Sequence, residues 1–295
     1  MPVVTLDLIS ASRFERVTVV TPLGIRFWDA ARDAQVDDGL EVTARPQARP
    51  DAPPVRAFKT ASGVYAFRGL PGLERFEHPQ DEPDWPDTTQ FIFDVVDRLG
   101  RFLPIRFIAP APHEGLLLSP GVISPPSRVP GFYLFSAPGR SAAAGTAAVR
   151  ADLIDTTTRR GAAYAVVEVL TDGVALAVGI ADERGCVAVL FPYPEFRRRL
   201  NASPPGALPP DQQSWPLRVR VRYVSPTQSS PPRQTPAGER PDLRTILSQP
   251  RAEFLTSAAD TGPGVSELTI DLLFGQELSL QGPQEPGIFI RGAPP

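Results

Sequence analysis

The sequence predicts an all-β protein of two tandem β-sandwich domains, the second with a short helical insertion, and three observations support that class. Asp33, Gly39 and Gly63 recur in the same order and at the same spacing as Asp155, Gly161 and Gly185, which marks an internal duplication. Short apolar or alternating runs are separated throughout by Pro, Gly and Asp clusters, the rhythm of a sandwich. The 36 prolines fall at turns and between those runs, where a missing N–H is tolerated, and not inside long helical patterns.

In the first half, residues 16–20, 25–28, 40–44, 55–58, 64–67, 91–96 and 105–108 read as strands, with turns such as Asp37-Asp38-Gly39 and Leu70-Pro71-Gly72 between them. The second half repeats the scheme with longer strands at 132–135, 147–154, 162–170, 174–180, 186–191 and 217–224. The run 163–170 reads as a strand covered on most of its surface, whereas 217–223 alternates strictly and sets Arg218, Arg220 and Arg222 on one wet face. Residues 113–131, rich in Pro, Ser and Gly, read as a linker, which places a first domain at 1–112 and a second at 132–295. An insertion at 225–262 opens with Ser-Pro and Pro-Pro steps. Asp242 then caps a short helix through Leu243, Ile246 and Leu247. Residues 267–280 read as a closing hairpin around Gly275-Gln276, and 287–291 as a last edge strand.

Composition excludes several function classes. With 42% hydrophobic and 21% charged residues among 295, the chain has enough apolar material for two cores and is not a disordered one. A net charge of -3 supplies no broad basic field for a phosphate backbone, so no nucleic-acid partner is expected. No run approaches the roughly 18 apolar residues of a membrane span, and residues 1–12 lack the pattern of a secretory signal. The expectation is therefore no membrane span, with synthesis and assembly in the cytoplasm and release as part of a particle left open.

The chemistry-bearing residues are few. Cys186, the single cysteine, excludes an intramolecular disulfide and reads as a buried strand residue. His78 and His113 lie in different Pro-rich segments with no G-x-S-x-G elbow beside them, and read as surface-loop residues. One cysteine and two scattered histidines make no zinc set, so neither metal nor cofactor is expected. Asp29, Asp33, Asp37 and Asp38 lack the order and terminal Glu of a calcium loop and read as turn formers. Glu77, Asp81, Glu82, Asp84 and Asp87 are neighbours in sequence, but a glycosidase pair is a matter of distance in space, and solvated loop charges are the plainer account. Two contact candidates stand out. Trp85, in an acidic loop, suits a sugar-stacking platform or a protein contact, and equally packing back over the sandwich end. Arg197, Arg198 and Arg199 form a compact basic cluster able to pair with an acidic neighbour, although a solvated helix or turn face is the plainer account.

Residues 62–72, which follow Asp29 and the turn and strand 39–42, resemble the carboxypeptidase regulatory-like, or transthyretin-like, β-sandwich, with its acidic turn, Gly-led "G-x-Y-x-F" strand and Leu-Pro-Gly turn. Residues 182–189 resemble the same step, but Val187 stands where the aromatic would fall and Pro192-Tyr193-Pro194 replaces Leu-Pro-Gly. The resemblance implies seven-stranded, prealbumin-like sandwiches and no peptidase activity, since that module is an accessory one. Over most of its length the chain also resembles uncharacterised proteins encoded among phage-tail-like contractile injection system genes, through the segments 69–73, 97–104, 181–185 and 191–195. This implies a non-enzymatic structural or assembly component, an adaptor whose partners are other protein subunits of a large assembly, self-association included. A carbohydrate- or surface-binding module, resting on Trp85, is the alternative, and a hydrolase comes third.

Overall fold

The computed structural model describes residues 3–10, 13–77, 89–111, 115–116, 131–196, 209–226, 240–260, 262–282 and 287–292. The fold is all-β, and Leu243–Leu247 is the only α-helix among the described residues. Val3–Ser10 and Arg13–Val20 form a two-stranded antiparallel ribbon. One four-stranded sheet then runs Ile105–Ala111, Thr89–Asp97, Leu40–Pro46, Val55–Arg56. It packs against a layer built on Leu23–Ile25 and its continuation Phe27–Asp29. Leu23–Ile25 pairs antiparallel with Tyr65–Ala66 and parallel with Gly115–Leu116. Phe27–Asp29 pairs antiparallel with Ala34–Gln35 and parallel with Phe132–Leu134. Strict alternation along Leu40–Pro46 and Thr89–Asp97 turns Val42, Ala44, Phe91, Phe93 and Val95 inward. There Phe93 stacks on Phe107 and Phe107 on Phe132, with ring centroids 5.0 and 3.9 Å apart. Each such buried side chain contributes about 1.5–3 kcal/mol.

The second half uses one long strand, Thr146–Asp155, where the first uses two. It pairs antiparallel with Cys186–Pro192 and Arg160–Gly161, and parallel with Leu278–Leu280 and Ile288–Arg291. The opposing sheet runs Val174–Ile180, Val166–Thr171, Ser214–Arg222, Leu268–Leu273, all antiparallel. Between the two layers lie Val149, Leu153, Val167, Val169, Leu217, Val219, Val221 and Trp215. On the wet face of Ser214–Arg222, Arg218 and Arg220 pair with Glu267 and Arg222 with Glu168.

The registers of the two halves coincide. Leu23 opposes Gly115 as Val149 opposes Leu278, Ile25 opposes Tyr65 as Ala151 opposes Val187, and Phe27 opposes Phe132 as Leu153 opposes Ile288. In the other layer, Val42–Val95 corresponds to Val167–Val221, and Phe93–Phe107 to Val219–Leu268. That last correspondence sets the Asp94–Arg106 ion pair in the place of the Arg220–Glu267 pair, with the charges exchanged. Of the three recurring positions in the sequence, Gly63 and Gly185 do match, since both sit in turns closed by equivalent bonds, Thr60 N–H to Val64 O and Asp182 N–H to Cys186 O. Asp155, however, matches Asp29 and not Asp33. Each of these two carboxylates accepts the amide two residues on, at Ala31 and Thr157, and the left-handed residues of the two turns are Asp33 and Arg159. Gly161 lies in a ladder where a Cβ would meet Arg184 O, whereas Gly39 supplies a positive φ.

Several expectations are corrected by pairings that local pattern cannot reveal. Phe132–Leu134, expected to open the second domain at 132, completes the first set of sheets and its core. Within the expected linker 113–131, Gly115–Leu116 is a paired strand. Residues 267–280 are not a hairpin, because Leu268–Leu273 and Leu278–Leu280 belong to opposite layers and the Gly275 turn crosses between them. Ile288–Arg291 is an internal strand between Thr146–Asp155 and Glu253–Leu255, which its unbroken apolar run fits. Cys186 heads its strand half-buried rather than buried.

Asp155 is fully buried and knots the second set of sheets. Its carboxylate accepts from Thr157 N–H, the Thr158 and Ser225 hydroxyls and the Tyr223 phenol at 2.7–3.3 Å. Burial, then the neighbouring Asp155, hold the Tyr223 phenol well above its ordinary pKa, so it donates. Asp155→Ala strands these donors and is expected to cost about 3 kcal/mol, against about 1 kcal/mol for Tyr223→Phe. Urea unfolding measures both, and equal midpoints for Asp155→Ala and the parent chain would contradict the assignment.

Candidate functional site

The two sets of sheets meet along a seam built from the insertion and from two of the segments that carry the sequence resemblance. The helix Leu243–Leu247 lies after Ser214–Arg222 in the chain, yet Leu243, Ile246 and Leu247 enter the first core, together with Val166 and Ile180. Asp242 holds it there. One carboxylate oxygen caps the helix by accepting from Thr245 N–H at 3.2 Å. The other accepts from Ile108 N–H at 3.0 Å, on the outer edge of Ile105–Ala111.

The segment 97–104 forms the adjacent bracket. Buried Asp97 accepts from the amides of Leu99, Arg101 and Phe102 and from the Arg101 guanidinium, which also reaches Asp38. Gly100 supplies the positive φ of the turn. Burial pushes the Asp97 carboxyl up, but the Arg101 side chain and the amides of Arg101 and Leu99 outweigh it and hold the pKa below its ordinary value. Arg140 then reaches from residues 135–145 to Asp29 at 3.0 Å and to Ser136 at 3.1 Å, with its guanidinium 4.8 Å above the Phe102 ring. Arg140 and Asp29 are only 10% and 6% exposed, so this is a buried ion pair. On its far side Arg150 donates to the carbonyls of Pro138 and Arg140.

A cleft of about 360 Å³ opens on this seam between Leu103 and Ile105 on one side and Ile180 and Ile246 on the other. Its rim carries Tyr164, Glu183 and Arg240. Tyr164 has φ 60°, unusual for a bulky residue, and a strained backbone of this kind is retained where surrounding packing enforces it. Its phenol donates to Glu183 at 3.0 Å; burial first, then that bond and the Glu183 charge, push its pKa up to about 12. The segment 181–185 supplies this wall because Asp182 accepts from the amides of Arg184 and Cys186 and so holds the turn. The arrangement offers apolar walls, a neutral phenol and a carboxylate. It can seat an apolar group with a hydrogen-bonding end. Among the described residues no three of His, Cys, Asp and Glu are grouped to hold a metal ion.

Trp85, Arg197, Arg198 and Arg199 lie outside the described residues, as do His78 and His113. Of the four aspartates, Asp29 and Asp38 meet arginines and Asp33 accepts from the Tyr133 phenol at 2.7 Å. Cys186 stays a thiol, since burial and then the Asp152 hydrogen bond push it up to about 11. Sequence reading missed Arg140 and Tyr164, which have no motif around them. It found Asp242 only as a cap.

No family model matches the chain, and no curated protein does. Among solved structures, the chain is similar to a variant of the shaft pilin SpaA from Lactobacillus rhamnosus GG, at 7% identity and a TM-score of 0.21, covering 92% of this chain and 97% of the pilin. That likeness is too weak to define a shared topology. No helix among the described residues is long and apolar enough to cross a membrane.

Two outcomes test the seam. Arg140→Leu leaves the Asp29 carboxylate buried and unpaired, at an expected cost of about 3–5 kcal/mol, and Asp29→Asn in the same chain recovers part of it; denaturant unfolding of the full cycle measures this, and additive losses would refute the pair. The Asp97 pKa is lower folded than unfolded, so its stabilisation is complete above the unfolded value and is lost as pH falls through the folded one. Asp97→Asn should therefore cost most at neutral pH and little in acid, as read by melting temperature against pH. A loss independent of pH would contradict that sign.

Proposed function

We propose that this protein is a non-enzymatic structural or adaptor subunit of a larger protein assembly, built as two tandem copies of one prealbumin-like sandwich fused into a single rigid body. The observation that carries this is the convergence of the 97–104 and 181–185 segments on the seam. There their aspartates are spent on holding turns, and the two segments line one cleft between the halves. Residues that resemble those of contractile injection gene products thus act as brackets of the seam, which suits a load-bearing adaptor. The resemblance supplies the setting, a phage-tail-like contractile particle whose other subunits are the partners. In this reading the tandem copies, the second extended by the insertion, present loops at the sandwich ends for docking.

The test is sedimentation of the natively expressed chain through a gradient, with mass spectrometry of each fraction. The expected result is co-migration with sheath and tube proteins in the particle fractions. Its recovery solely as free protein, from cells that contain assembled particles, would overturn the proposal.

A further inference from the structure

The coincident registers of the two halves single out one strand edge that is uncovered among the described residues. Ile105–Ala111 and Leu268–Leu273 hold the same place in their sheets, each outermost beside the strand that carries Asp94 or Arg220. In the first half the outer edge is covered, because Asp242 accepts from Ile108 N–H and its backbone bridges to Arg106. Under that cover the inward side chains Phe107 and Ala109 are 2% and 7% exposed. Their counterparts Leu268 and Ile270 are only half-buried, and Leu273, at the end of the strand, is 42% exposed. The only strand pairing of Leu268–Leu273 among the described residues is with Ser214–Arg222. The Phe274 N–H bond to Gln213 O sets the phase of that ladder, so Thr269, Asp271 and Leu273 turn their amides and carbonyls outward, as Ile108 does. The opposite edge of this sheet, Val174–Ile180, is blunted by a register shift at Val169 and Leu170.

We infer that the edge Leu268–Leu273 pairs antiparallel with the same edge of a second copy of this chain about a two-fold axis through Ile270. The edge matches itself, Thr269 to Asp271 and Leu268 to Leu272, and charge selects the register. A two-fold axis through Asp271 would set that carboxylate against itself, and one through Thr269 would set Asp271 against Glu267 of the partner subunit, both unfavourable. An axis beyond Asp271 carries the pairing past the end of the strand. Centred on Ile270, Thr269 lies opposite Asp271 of the partner subunit, where its hydroxyl can donate to the carboxylate. Leu268 lies opposite Leu272 of the partner subunit, which completes the inward apolar row. The outward amides of Thr269 and Asp271 then meet as hydrogen-bonded pairs, and two four-stranded sheets become one continuous sheet.

The test is sedimentation equilibrium of the purified full chain from low-micromolar to near-millimolar concentration. The expected result is a rise from 31.9 kDa toward twice that mass. Thr269→Asp, which puts a second carboxylate opposite Asp271 of the partner subunit, should raise the dissociation constant about tenfold or more. Thr269→Pro, which removes an outward N–H that an edge strand does not need for its own fold, should leave a monomer. Unchanged thermal melting of both variants at low concentration separates this from misfolding. In addition, hydrogen exchange should slow at Thr269 and Asp271 as concentration rises. A parent chain that stays at 31.9 kDa throughout, or variants that associate as well as it does, would overturn the inference. A monomer would leave the assembly reading standing, since the pairing rests on this edge alone.

Discussion

A five-residue helix in water has no stability of its own, because nucleation costs more than one turn returns. Leu243–Leu247 exists because Leu243, Ile246 and Leu247 have a core to enter and because Asp242 satisfies its first free amide. The dependence runs both ways. That core lies mainly between sheets of the first half, and it is closed by a segment that follows Ser214–Arg222 in sequence and by Val166 and Ile180 of the second half. Neither set of sheets can therefore bury its apolar surface fully without the other. The position of the seam and of the cleft along it follow from this shared packing.

The electrostatics reinforce the same boundary. Asp242, Asp97 and Asp182 each accept from two or three backbone amides, so the seam's carboxylates are spent on fixing chain direction. Arg140 supplies a buried cation that ties residues 135–145 to the first turn at Asp29. Buried pairs of this kind add little net stability over apolar packing but penalise any arrangement that separates them. The exchange of Asp94–Arg106 for Arg220–Glu267 shows the same economy, since the register needs opposite charges across the strands and is indifferent to which strand carries which.

Alternation made the strands legible, most clearly in Leu40–Pro46, Thr89–Asp97 and Ser214–Arg222, and the Asp242 cap with its spaced leucines made the helix legible. The recurrence of turns also pointed to the repeat, though it matched Asp155 to Asp33 when the equivalent carboxylate is Asp29. A small difference in loop length between the halves is enough to cause that slip, because spacing is all that sequence offers at such a turn. The parallel pairings escaped, although 132–135 and 287–291 read as strands. Gly115–Leu116 and Phe132–Leu134 reach their places after long connections, and three apolar residues suit either half equally well. Tyr164 and Arg140 were invisible for a related reason, since an isolated side chain has a role only once distant elements are brought beside it.

The shared core makes the two halves one cooperative body. Differential scanning calorimetry of the full chain tests this most directly. One transition is predicted, with calorimetric and van't Hoff enthalpies equal, because the first core cannot stay closed once the second half unfolds. Two resolved transitions, one for each half, would contradict it.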